Sequence, residues 1–156
     1  MMKFKTILYI LSIALLFSCE IKSNDAKISN DIESLELLKK EITSGKELVQ
    51  FDSLMQFEWE SLIILTPYSL PKKVGEKYNI DLTSIEHFAI ESRDDINLIV
   101  FLKNNIPTRV IAYPRYPGDF SDNVIEVIRK TEANYSIELT NETSVEGNQW
   151  IRLTKK

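Results

Sequence analysis

The 156-residue sequence contains one cysteine, Cys19, and one histidine, His87. A single thiol cannot close an internal disulfide, and one imidazole without a thiolate beside it is no zinc site. Glycine-rich phosphate loops are missing, and Ser84 and Ser92, the serines nearest His87, lie in no nucleophile-elbow context. Carboxylate-only binding of Ca²⁺ or Mg²⁺ is open in principle, but the sequence has no acidic loop of the EF-hand kind with its glycine. No cofactor and no metal are therefore expected. An excess of positive charge is missing too: the formal charge is −4, and it becomes −6 once Lys3 and Lys5 are set aside with residues 1–18, which hold no acid. Such a surface does not attract phosphate backbones, so nucleic-acid binding is not expected. Finally, no apolar run reaches the roughly 20 residues of a membrane-spanning helix.

What is present begins with an address. Residues 1–18 place Lys3 and Lys5 ahead of an apolar run of roughly a dozen residues, the layout of a secretory signal. Leu16-Phe17-Ser18-Cys19 resembles the lipobox of bacterial lipoproteins, in which a small residue precedes the cysteine that is lipidated. Phe17 is bulkier than the commonest residue at its place. The resemblance implies a diacylglyceryl thioether on Cys19 and usually an N-acyl chain, and more than one chain is what stable anchoring requires. The other reading of Cys19 is a cysteine that merely ends a signal or transmembrane segment. Residues 20–29 are polar and lack aromatics, so a flexible tether is expected over 19–29 and one folded domain over 30–156.

The body is expected to be α+β. Asn30-Asp31-Ile32-Glu33 fits a helix N-cap, and Ile32, Leu35, Leu38 and Ile42 recur at helical spacing, which predicts an amphipathic helix over 31–43 ending near Gly45. Short strand signals cover 47–51 and 59–66, the second ended by Pro67. A short helix over 69–79, weakened by Gly75, follows, then a loop or single turn started by Thr83. Residues 88–113 read as a three-stranded antiparallel meander. With Asp94-Asp95 as one turn, Ile90 faces Ile99 and Phe88 faces Phe101; with Asn104-Asn105 as the next, Ile99 faces Val110 and Phe101 faces Thr108. Alternation then puts Phe88, Ile90, Ile99, Phe101 and Val110 on one face, and Leu98, Val100, Leu102, Ile111 and Tyr113 on the other, to be covered by the N-terminal helix. Residues 121–130 have a helix-like pattern, although their β-branched residues also suit a strand. Residues 135–139 and 149–154 alternate cleanly and predict a C-terminal hairpin.

Phe57-x-Trp59 with Ile63, Pro67 and Tyr68, then Asp94 to Phe101, then Pro114-Arg115 and Gly118-Asp119-Phe120, resemble a family of small bacterial proteins, many of them lipoproteins. In that family the first motif often reads Phe-x-Trp-Asp, and Glu60 stands in the place of the aspartate. The resemblance spans about residues 50–120 and implies no activity.

Four residues are the candidates for a ligand site: Trp59, Tyr113, Arg115 and Asp119. A fixed arginine among aromatic residues suits a carboxylate or peptide terminus, whereas a local Arg115–Asp119 pair that orders its loop, and Trp59 packed in the core, are the simpler roles. Asp94 and Asp95 read as turn residues. Three functions are weighed. The first is a non-catalytic accessory module of the cell envelope, anchored to the membrane by lipid, that binds an envelope protein or cell-wall ligand. The second is a small hydrolase or carbohydrate-active enzyme using carboxylates such as Glu60 and Asp95, which need roughly 5 to 10 Å between them. The third is an immunity or inhibitor protein.

Overall fold

The computed structural model describes residues 26–120, 122–144 and 147–156. Cys19 and the greater part of the expected tether lie outside the described residues. Helix α1 spans Ile32–Ile42, with Leu35, Leu38 and Ile42 buried along one stripe. Asp31 caps it, one residue after Asn30: its Oδ1 accepts from the Ser34 N–H at 3.1 Å, and its Oδ2 accepts from the Ser34 hydroxyl at 2.9 Å. Arg109 donates to the same Oδ2 at 2.8 Å, so the helix start is fastened to a strand 78 residues away.

Strand β1 covers Leu48–Gln50 and runs into a helical turn, α2, at Phe51–Leu54. Strand β2 is Ser61–Leu65 and helix α3 is Pro71–Tyr78, with a proline in its first turn. Gly75 has a structural reason to be in α3, because a Cβ there would come within 2.5 Å of the Ile80 carbonyl oxygen. The later strands are β3 (Ile96–Lys103), β4 (Ile106–Pro114), β5 (Gly118–Asp119), β6 (Val127–Arg129), β7 (Asn134–Thr143) and β8 (Gln149–Lys155). They form two four-stranded sheets, ordered β1-β7-β8-β5 and β4-β3-β2-β6. Every pairing is antiparallel except β5 with β8. The fold is α+β.

Two apolar clusters sit on opposite faces of the sheet that contains β3. The first joins α1 to the inner faces of both sheets, with Leu38, Ile42, Leu62, Ile64, Ile99, Phe101, Ile111 and Tyr113 against Tyr135, Ile151 and Leu153. Phe51 stands in its middle, with ring centroids 6.1 Å from Phe101, 6.4 Å from Phe120 and 5.7 Å from Tyr135. The second cluster lies on the other face, where Ile63, Leu65, Leu98, Val100, Leu102 and Val110 are covered by Ile80, Leu82, Ile85 and Ile90, with Val74 and Tyr78 of α3 packed alongside. Ile28 packs there as well, and its N–H donates to the Ser84 carbonyl, so the ordered body starts ahead of Asn30.

The predicted meander is corrected in two places, and its cover in a third: α1 packs on the face that carries Ile99 and Phe101, not on that of Leu98, Val100 and Leu102. Its first strand does not form: Thr83–Phe88 and Ile90–Ser92 are 3₁₀ turns either side of Ala89, which has φ 52°. The position beside β3 belongs to β2, with Ile64 opposite Ile99 and Leu62 opposite Phe101. Ile90 is better buried as a lid on the second cluster than paired as an edge, and Asp94-Asp95 joins a turn to a strand. The second correction is register. Asn104-Asn105 is the turn, with both residues at positive φ, and it pairs Lys103 with Ile106 and Leu102 with Pro107. A bulge then leaves Thr108 as the extra residue, so Phe101 faces Arg109, Val100 faces Val110 and Ile99 faces Ile111. A one-residue slip exchanges the faces: Val110 joins the second cluster, while Ile111 and Tyr113 join Ile99 and Phe101 in the first. Where the sequence pattern is helix-like, Val127–Arg129 form the short edge strand β6, paired to β2. Its β-branched residues suit the pleated surface that β2 offers.

The Asp31 cap gives a stability test. Asp31→Ala should lower unfolding free energy by about 1 kcal/mol in urea denaturation. Burial by itself raises the Asp31 carboxyl pKa, but hydrogen bonds from Ser34 and Arg109 outweigh it and hold the group below its ordinary value. A folded pKa below the unfolded one gives stability that is present above the unfolded value, about 4, and lost as pH falls through the folded value. Wild type should therefore lose stability faster than Asp31→Asn as the pH drops below about 4. Identical acid profiles for the two proteins would show that the cap carries no such linkage.

Candidate functional site

The Pro114–Phe120 loop leaves β4, passes a cis Tyr116–Pro117 peptide and enters β5. Arg115 and Asp119 meet across it. Nε and Nη2 of Arg115 both donate to Oδ2 of Asp119, at 2.9 and 2.7 Å, and Nη1 donates to the Asp94 carbonyl at 3.1 Å. Asp119 is only 8% exposed. Its Oδ1 accepts from the Asn97 side-chain amide at 3.0 Å, and Asn97 is fully buried near the start of β3. One carboxylate thus ties the loop, a β3 side chain and, through Arg115, the Asp94 turn.

Gly118 makes this placement sterically feasible. A Cβ there would lie 3.0 Å from Leu153 Cδ1 and 3.1 Å from Ile42 Cγ2, so the loop packs directly on α1 and β8. The parallel β5–β8 pairing, Gly118 with Ile151 and Asp119 with Arg152, then brings the C-terminal strand alongside. Trp150 and Arg152 flank the buried Ile151, and Leu153 is buried again, so Trp150 and Arg152 project outward by strand alternation. The Tyr116 ring lies 5.7 Å from that of Trp150, and Arg152 pairs with Asp122 at 2.6 Å. Trp150, Arg152 and Asp122, with Arg115, Asp119, Glu142 and Thr143, line a groove of about 340 Å³.

Of the four residues singled out from sequence, the structure joins Arg115 and Asp119 at this groove and puts the other two in the core. Trp59 is 4% exposed, edge-on to Phe101 at 5.2 Å, with Lys130 over its indole at 5.4 Å. Tyr113 is fully buried against Phe120, and burial pushes its phenol pKa up. Neither Trp59 Nε1 nor the Tyr113 hydroxyl has a protein partner among the described residues. Tyr116, Trp150, Arg152, Asp122 and Glu142 were not singled out. The alternation of 149–154, which sets Trp150 and Arg152 on the face opposite the buried Ile151 and Leu153, is the signal that could have found two of them.

Glu60 and Asp95 do not share a cleft. Glu60 accepts from the Asn104 N–H at 2.8 Å, just past one end of β3, whereas Asp95 precedes the other end, held by Arg93. At about 3.3 Å per residue the intervening strand separates them by on the order of 25–30 Å, too far for a carboxylate pair acting on one bond. A larger depression of about 790 Å³ lies beside α3, but no aromatic side chain lines it, and Asp81 there is engaged by the N–H and hydroxyl of Thr83. Chemistry for ligand recognition is therefore better developed at the Arg115 groove.

Among the described residues no group of three histidine, cysteine or acidic side chains is placed to hold a metal, and no helix is long and apolar enough to cross a membrane. Comparison of the chain with protein-family models, curated proteins and solved structures gives no match.

Asp119→Ala should destabilise the fold by about 1–3 kcal/mol, because it strips an acceptor from both the buried Asn97 amide and Arg115. Adding Arg115→Ala should then cost less than it does in wild type, with a coupling of about 0.5–3 kcal/mol. Strict additivity in chemical denaturation would show that the two side chains do not act as a unit.

Proposed function

We propose that this chain is a lipid-anchored, non-catalytic binding module of the bacterial cell envelope. Lipidation at Cys19 is its attachment to the membrane, and the Arg115 groove is its contact with an envelope protein or cell-wall ligand. The family of small lipoproteins that residues 50–120 resemble is consistent with this reading. The observation that carries it is the state of the groove's charges. Arg115 is held by Asp119 and Arg152 by Asp122. Each of these carboxylates is ion-paired with a guanidinium, whereas a general acid or base must be able to reach the proton it moves. Paired charges beside the half-exposed Trp150 ring suit recognition better than proton transfer. A hydrolase built on Glu60 and Asp95 is disfavoured by their separation.

Membrane fractionation with intact-mass measurement tests the anchor. Wild type should partition with membranes and carry the added mass of the acyl chains, and Cys19→Ser should give a soluble or uncleaved species. Unchanged mass and partitioning in Cys19→Ser would rule the anchored reading out.

A further inference from the structure

We infer that the groove between the Arg115–Asp119 loop and the β7–β8 hairpin is a saccharide site, which takes a neutral, hydroxyl-rich sugar against the ring of Trp150. This rests on the binding-module reading and names its ligand class. Trp150 is the aromatic side chain of an otherwise polar lining, and its indole, with the Tyr116 ring 5.7 Å away and tilted by 50°, gives the groove an apolar wall. A pyranose presents the matching pair of surfaces: a face of C–H groups for the aromatic wall, and hydroxyls at its edge that both donate and accept. Carboxylates accept and guanidinium groups donate, and the groove offers both kinds side by side.

Charge decides against the other ligand classes. The groove holds three carboxylates, Asp119, Asp122 and Glu142, against two guanidinium groups. Arg115 already spends three of its N–H donors on Asp119 and the Asp94 carbonyl. A peptide carboxylate would meet no uncommitted cation and a surplus of like charge, so the carboxylate-clamp role weighed for Arg115 is disfavoured by its own partners. A basic peptide would find a net charge of only −1, whose pull is largely screened at physiological salt. A neutral ligand loses nothing to either effect. The bonds that hold Arg115 also fix its rotamer before any ligand arrives, which lowers the ordering cost of binding.

Intrinsic fluorescence reads the site directly, because the chain has two tryptophans and Trp59 is buried in the core. The detergent-solubilised full chain is titrated with chitobiose, cellobiose and maltotriose, and in parallel with trilysine and trialanine. At least one sugar should change Trp150 emission saturably at up to about 10 mM, the weak range expected of a small exposed groove. Trp59→Phe should keep that titration. Trp150→Ala, with its folding checked by circular dichroism, should weaken binding measured by calorimetry about tenfold or more. Affinity should change less than about twofold between roughly 0.05 and 0.5 M NaCl. No response to any sugar overturns the inference. So does saturable, salt-sensitive binding of trilysine, or binding of trialanine through its carboxylate, with no sugar competing. Either peptide result leaves the binding-module reading standing, whereas a failed Cys19 test removes the anchor and leaves a sugar titration intact.

Discussion

Strand β3 is apolar on both faces, and most of the architecture follows from the need to cover both. Seven of its eight residues, Ile96 to Leu102, are buried. An antiparallel sheet that meets water on one side would show alternation; this one does not. One cover is made by α1 and the second sheet, whose Tyr135, Ile151 and Leu153 reach Ile99 and Phe101 through the shared cluster. The other is made by α3 and the turns from Ile80 to Ile90. Residues 83–92 are accordingly worth more as a lid than as a strand. Coiling around Ala89 lets Ile85 and Ile90 both face the sheet, whereas an extended chain would turn alternate residues away.

The same constraint explains what could be read from the residues beforehand. The period of Ile32, Leu35, Leu38 and Ile42 is a local property, and so is the turn signal of Asn104-Asn105, whose φ values of 53° and 59° are ones asparagine tolerates. Both were legible. The bulge at Thr108 was not, because one extra residue leaves no mark on composition. Yet it decides which face Ile111 and Tyr113 occupy, and its warrant is tertiary: it brings the tyrosine to Phe120 in the first cluster. The first strand of the meander failed for a related reason. Phe88, Ala89 and Ile90 alternate acceptably, but strand pairing is competitive, and Ser61–Leu65 provides a longer and more uniformly apolar partner for β3.

At the candidate site the legible part was again the local part. Arg115 and Asp119 lie four residues apart around Pro117-Gly118, so a charge pair across the loop could be expected. That Asp119 also engages Asn97 could not, since Asn97 is 22 residues away in a strand whose register was misread. Trp150 and Arg152 are farther still in sequence, and their arrival depends on a two-residue parallel pairing, β5 with β8, too short to leave a pattern. Trp59, by contrast, drew attention as an aromatic near a motif, but as the first core cluster closes its indole lies edge-on to Phe101.

The ion pairs at the groove therefore have a structural cause before they have a functional one. Gly118 must lie against Ile42 and Leu153 for the loop to close the end of the sandwich, and that brings Asp119 to an almost buried position. A buried carboxylate needs a charged partner and further hydrogen bonds, and Arg115 and Asn97 supply them. Once Arg115 is committed in this way it is rigid and electrically quiet. A rigid, neutralised guanidinium beside an outward tryptophan can orient a ligand by directed hydrogen bonds, but it has little long-range field with which to draw in a charged one. Closing the fold thus sets the charge pattern on which the proposed saccharide site rests.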